Sequence, residues 1–181
     1  MFSDEGRRCM EMRGKAHRFG DDVNTDYILS SRHRAQTLDY KQLAEHLMED
    51  IRPGFYARVS QGDFIVAGEN FGCGSSREYA PKVIQAGGIA AILAKSFARI
   101  FYRNAINLGL PLVECDTESI AEGDLLRVDL AQGKVFHEKR KMAIPTRPIP
   151  AFMLTLLNEG GMVPFLRKYK KFSLSAMGEK T

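Results

Sequence analysis

The residues best suited to chemistry gather in Glu69-Asn70-Phe71-Gly72-Cys73-Gly74-Ser75-Ser76-Arg77-Glu78. Gly72 and Gly74 permit backbone angles and close approaches that other residues resist. A loop of this kind, between a buried strand and a helix, delivers Ser75 and Ser76 to the helix start, where unpaired N–H groups and the positive end of the helix dipole point. Arg77 adds a fork of donors suited to a carboxylate. Together these describe an anion site. They equally describe a capped helix, with Ser75 or Ser76 as the cap and Glu78 completing it. A nucleotide loop is a poor fit, because no Lys stands at the P-loop position and Arg77 stands where a third glycine would be needed. Cys73 is expected to have a lowered pKa beside a helix N-terminus and Arg77, yet no His or Asn partner marks it as a nucleophile.

Two other segments carry polar groups in quantity. Gly20-Asp21-Asp22-Val23-Asn24-Thr25-Asp26-Tyr27-Ile28 is rich in acids, but its spacing is not that of a calcium loop, so it reads equally as a capped turn. Ser30-Ser31-Arg32-His33-Arg34 places basic residues straight after a short apolar run. His33 could titrate near neutral pH, although nothing nearby in sequence pairs with it as a catalytic dyad.

The elements that must position these segments follow from periodicity. Met12 to Phe19 alternates weakly, like a short strand, and Tyr27-Ile28-Leu29 reads as a short buried strand. Leu38 to Met48 has mostly helical spacing, ended by Pro53-Gly54. Phe64 to Ala67, Ile89 to Ala94 and Leu110 to Glu114 are apolar runs of buried strands. Helices over Arg77 to Ala86 and Phe97 to Leu108 lie between them, stopped by Gly87-Gly88 and by Gly109. Strand and helix thus alternate, which implies parallel strands with helical crossovers. Leu125 to Leu130 and Lys134 to His137 flank Ala131-Gln132-Gly133 as a β-hairpin. Pro145, Pro148 and Pro150 break the chain before a last helix, Ala151 to Glu159, which Gly160-Gly161 ends. Residues 1–11 read as a flexible extension, 12–170 as one α/β domain, and 171–181 as a flexible tail.

Composition narrows the function. With 181 residues, 44% hydrophobic and 27% charged, the chain can bury a real core. The net charge of +4 is mild and suits a di- or tricarboxylate substrate. Much of it lies in Arg167 to Lys171, which reads as a solvated tail, and no aromatic-rich pattern of an RNA-binding sheet accompanies it. The three cysteines, Cys9, Cys73 and Cys115, are widely spaced and form no C-x-x-C pair. Neither a disulfide framework nor a metal cluster built by this chain alone is expected, and a cytoplasmic location follows. No apolar run approaches a membrane span or a signal peptide core.

Taken in order, three segments resemble a known family. They are Gly20-Asp21-x-Val23-x-Thr25-Asp26-x-Ile28, then Gly68-x-Asn70-Phe71-Gly72-x-Gly74-Ser75-Ser76-Arg77-Glu78, then Lys95 to Asn107 followed by Gly109-Leu110-Pro111. The chain from about Met12 to Tyr169 is similar to the small subunit of 3-isopropylmalate dehydratase, the counterpart of the swivelling C-terminal domain of aconitase. The resemblance implies a layered β-sheet with flanking helices. It implies no cofactor in this chain and a large partner subunit carrying a 4Fe-4S cluster that acts as Lewis acid. Residue by residue, Ser75 matches a catalytic serine base. Ser76 and Arg77 match substrate-carboxylate binders, and Thr25 and Asp26 fall at the same site. Arg34, or failing that Arg32, is expected to face the substrate's variable arm. The family has Tyr or His after the S-S-R-E element, His being the form most associated with it, and Tyr79 stands here; the loop after Ile28 is more basic than an isopropyl arm needs. The implied reaction interconverts 2- and 3-isopropylmalate by dehydration and rehydration, in leucine biosynthesis. Homoaconitase or a citraconate-type dehydratase is the alternative within the class. An anion-binding regulatory module and an RNA-binding protein are the alternatives outside it.

Overall fold

The structure, a computed structural model, describes residues 11–170. The chain enters on β1 (Glu11–Arg18). Three short helices follow, α1 (Thr25–Ile28), α2 (Ser31–Arg34) and α3 (Tyr40–Ala44), then a 3₁₀ turn (Tyr56–Arg58). β2 (Phe64–Val66), α4 (Tyr79–Ala86), β3 (Ala91–Ala94), α5 (Arg99–Asn107) and β4 (Leu112–Glu114) make two strand-helix-strand crossovers. β5 (Leu125–Asp129), β6 (Lys134–His137) and β7 (Met142–Pro145) make a meander, and α6 (Ala151–Asn158) and α7 (Met162–Tyr169) complete the described chain.

All seven strands join one sheet in the order β4-β3-β2-β1-β5-β6-β7. β1 to β4 run parallel and the meander runs antiparallel from the other edge of β1. The apolar runs are continuous because both faces of the parallel half are covered. Side chains alternate across a strand, so Phe64, Val66, Ala91 and Leu93 pack on one face with residues of β5, α6 and α7. Ile65, Ile92 and Ala94 pack on the other with residues of α1, α3, α4 and α5. The layered α/β architecture expected from the sequence is therefore present.

Several local expectations change. Tyr27-Ile28-Leu29 is not a strand. Asn24 accepts the Asp26 N–H on its side chain, and this cap turns Thr25–Ile28 into one helical turn. The helix expected over Leu38 to Met48 closes at Ala44. Beyond it the bonds shift to the tighter i to i−3 pattern, as in Glu45 N–H to Gln42 O and His46 N–H to Leu43 O. The helix expected from Arg77 begins at Tyr79. The expected hairpin gains a third strand, β7, which pairs with Lys134 to His137 and takes in Pro145, the first of the prolines expected to break the chain. Of the basic run, Arg167 and Lys168 lie in the last turn of α7, anchored by the buried Phe165, and Lys170 is its C-cap, while Lys171 lies outside the described residues. Pro164 lies in the first turn of α7, where its missing N–H costs little. The expected extension lies outside the described residues except for Glu11, which pairs with Asp129 in β1. The expected tail 171–181 also lies outside them.

Candidate active site

Three segments separated in sequence converge at the carboxyl ends of β1, β2 and β3, the edge where parallel sheets offer a crevice. After β1, the Asp22 N–H donates to Glu69 O at 2.9 Å and the Thr25 N–H to Cys73 O at 2.9 Å. In return the Gly72 N–H donates to Val23 O at 2.8 Å. After β3, the Phe71 N–H donates to Ser96 O at 3.0 Å and the Ala98 N–H to Phe71 O at 2.9 Å. The glycine loop is thus held between its two neighbours as a short extension of the sheet. Gly72 and Gly74 have φ of +80° and +89°. A Cβ on Gly72 would lie 2.2 Å from Phe101, and one on Gly74 would lie 2.4 Å from the Asn24 side chain. Both positions therefore need glycine for their backbone angle and for the space they leave.

The loop presents Ser75 and Ser76 exposed at the mouth of a cleft of ≈ 140 Å³. Thr25, Gly74, Arg77 and the first turn of α5 complete it. Thr25 is buried, and its hydroxyl donates to the Ser75 carbonyl at 2.9 Å. Thr25 therefore fixes where the Ser75 backbone sits. Neither serine caps α4, whose N-cap is Glu78 with no side-chain cap bond. The capped-helix reading of Ser75, Ser76 and Glu78 is thereby not realised. The helix whose N-terminal turn lines the cleft is α5, through Ala98, Arg99 and Ile100. Its leading N–H groups and dipole supply the positive end expected at the serines.

Arg77 is mostly buried, with 14% of its side chain exposed. It pairs with Asp26 and donates to Leu29 O at 3.1 Å and to the Tyr79 hydroxyl at 3.0 Å. Three of its five donors are used in this way, which leaves two for an incoming carboxylate. Arg34 stacks over the Tyr79 ring at 5.6 Å and donates to Thr37 O at 3.1 Å. It is therefore one aromatic ring away from Arg77. Arg32 points elsewhere, to Asp50 at 2.7 Å.

The Cys73 expectation reverses. Burial and then the nearby Asp22 carboxylate push its thiol up from the ordinary value, so it is not an activated nucleophile. Two cleft residues escaped the sequence reading, Arg99 and Asn104. Both lie in the Lys95 to Asn107 segment, and their i, i+5 spacing gave no signal of a shared face. Among the described residues the cysteines are Cys73 and Cys115, both free, and they cannot provide a three-cysteine cradle for an iron–sulfur cluster.

A family model of the aconitase C-terminal domain matches residues 15–117. The 3-isopropylmalate dehydratase small subunit 2 of Archaeoglobus fulgidus is 50% identical over 160 residues, covering 88% of this chain and 97% of that one. The 3-isopropylmalate dehydratase small subunit of Wolinella succinogenes is 51% identical over 152 residues, covering 83% and 90%. The crystal structure of 3-isopropylmalate dehydratase (leuD) from Methanocaldococcus jannaschii superposes with a TM-score of 0.85 at 45% identity, covering 89% of this chain and 96% of that one.

Proposed function

Because this chain belongs to the aconitase C-terminal domain family, as a small subunit of the 3-isopropylmalate dehydratase type, we propose that it works with a large subunit to interconvert 2- and 3-isopropylmalate in leucine biosynthesis. In that reaction a proton leaves the carbon beside a carboxylate and hydroxide leaves the neighbouring carbon. Water then adds back across the double bond in the opposite sense. The partner large subunit would carry the 4Fe-4S cluster that supplies Lewis-acid assistance to the hydroxyl. This chain supplies the proton transfer and the carboxylate contacts.

The observation that supports these roles is the placement of Ser75-Ser76-Arg77 at one cleft by three converging loops. Ser75 removes the proton as its anion and returns it in the second half of the reaction. A serine anion is poorly stable in water, so it needs donors already aimed at it. The α5 N-terminal turn and Arg77 provide positive potential there. Ser76 and the two remaining Arg77 donors hold a substrate carboxylate, and Asp26 fixes the Arg77 plane. The cytoplasm is the proposed location, and no described helix is long and apolar enough to cross a membrane.

Reconstitution with a cluster-loaded large subunit tests this. Ser75→Ala should lower kcat by about 10²–10⁴-fold, the usual worth of a positioned base. Its melting temperature should not move, because the exposed side chain caps nothing. A near-normal kcat would remove Ser75 from the chemistry. Arg34 beside Tyr79 favours a second reading, in which the substrate arm bears a carboxylate. If so, 3-isopropylmalate and homoaconitate should exchange rank in kcat/KM on Arg34→Ala, and an unchanged rank dismisses that reading.

A further inference from the structure

Away from the cleft, α2 and the turns after α3 bring together His33, His46 and Glu49, which the sequence leaves 13 and 16 residues apart. The three ligand-capable atoms lie within 4.8 Å of one another. His33 Nε2 is 3.1 Å and His46 Nδ1 is 2.9 Å from the same Glu49 oxygen. Ligands around a tetrahedral ion at 2.0–2.1 Å stand about 3.3 Å apart, so these separations are already close to those of a coordination shell. The scaffold beneath is firm. His46 and Glu49 are joined by a turn bond from the Glu49 N–H to His46 O, and the intervening Leu47 and Met48 are buried. The Met48 N–H also donates to Ile28 O at 3.0 Å, which ties this turn to the end of α1.

We propose that His33, His46 and Glu49 form a surface site for one divalent transition-metal ion of the zinc kind, with water from the adjoining pocket as the fourth ligand. Two imidazoles and one carboxylate suit zinc, cobalt or nickel better than magnesium or calcium, which prefer all-oxygen shells. A pocket of ≈ 440 Å³ lined by His33, Gln36, Thr37, Gln42, Glu45 and His46 opens beside the cluster and gives the ion a route in.

Loading requires one rearrangement. The two rings are stacked, with centroids 3.7 Å apart and planes 12° from parallel. In-plane lone pairs of parallel rings do not meet at one point, so the rings must splay. His46, with 36% of its side chain exposed, is the ring with room to turn. His33 Nδ1 is buried with no hydrogen-bond partner among the described residues, so no second bond locks that ring. Arg32 Nε–H donates to His33 Nε2 at 3.0 Å and must release it. Arg32 is exposed and keeps Asp50 as its partner at 2.7 Å. The ion would clip α2, which carries Arg34, to the turns after α3.

The test uses the full, tag-free chain titrated with Co²⁺ and then Zn²⁺. The expected result is one Co²⁺ per chain with visible absorption of tetrahedral intensity, lost on adding Zn²⁺, and a melting temperature that rises with metal. Removal of a supporting group around a metal costs about 10–100-fold in affinity. His46→Ala and Glu49→Gln, which replace direct ligands, should therefore each weaken binding at least about tenfold. Both side chains are substantially exposed, so circular dichroism of the two variants should match the parent. His33→Ala should do the same, and if it fails to fold the other two variants still decide. Absence of Co²⁺ binding at tens of micromolar, or equal binding by His46→Ala and Glu49→Gln, would leave the cluster a hydrogen-bonded ion pair and overturn the proposal.

Discussion

Gly74→Ala perturbs the point where the first and second loops touch. Gly74 sits at φ +89°, where an L-residue is strained by about 1–2 kcal/mol. Its new Cβ would lie 2.4 Å from the Asn24 side chain, so that side chain must move. Asn24 accepts the Asp26 N–H at 2.9 Å as the cap of α1, and a lost cap costs about 0.5–2 kcal/mol. The sum is roughly 1.5–4 kcal/mol, which for a chain of this length corresponds to a fall in Tm of roughly 3–16 °C. The loss should not be confined to stability. Displacing Asn24 moves Thr25, whose hydroxyl holds the Ser75 carbonyl, so kcat of the reconstituted enzyme should drop as well. Thermal melts of the parent, Gly74→Ala, Asn24→Ala and the double variant close a cycle. Asn24→Ala already forfeits the cap and opens the space, so the double variant should be less destabilised than the two single losses added. The reasoning is wrong if Gly74→Ala lies within about 0.5 kcal/mol of the parent, or if the two losses simply add.

Two other predictions concern ionisable groups. Asp63 is 3% exposed and accepts from the Lys15 and Ser60 N–H groups and His17, each at 2.8–2.9 Å. Burial works to raise its pKa, but these bonds outweigh burial and hold it below the ordinary 3.8. The folded state then binds fewer protons than the unfolded one. This stability is fully present above the unfolded value and is lost as pH falls through 3.8 toward the folded value. Urea midpoints at pH 7, 5 and 3 should fall at the acid end, and Asp63→Asn should cost about 1–3 kcal/mol at pH 7 by leaving an N–H without its acceptor; an unchanged midpoint at pH 7 would count against the account. In a Cys9→Ser background, Cys73 should react with a disulfide reagent at pH 7.5 more slowly than glutathione does, because burial raises its thiol. Cys115, pushed up to about 12, should be slower still, and faster reaction of Cys73 would restore the activated-thiol reading.

The parallel half of the fold was legible because its strands are buried on both faces and therefore read as unbroken apolar runs, separated by helices that glycines stop. The glycine loop was legible for a related reason, since only Gly tolerates the angles and contacts at positions 72 and 74. Ser75, Ser76 and Arg77 are consecutive, so placing the loop placed all three. Tertiary contact decided the rest. The tendency of Tyr27-Ile28-Leu29 toward a strand lost to the Asn24 side chain, whose cap depends on where Gly74 leaves room. Arg77 and Asp26, 51 residues apart, became partners only when two loops were zipped together at the sheet edge. Arg99 and Asn104 reached the cleft because α5 packs with its N-terminal turn beside Ser75, and the period of that helix alone does not say which neighbour it meets. His33, His46 and Glu49 carry no local pattern at all. Their convergence depends on buried Leu47 and Met48 setting the direction of a turn, and a direction set by packing against distant residues is not written in the spacing of the residues that use it.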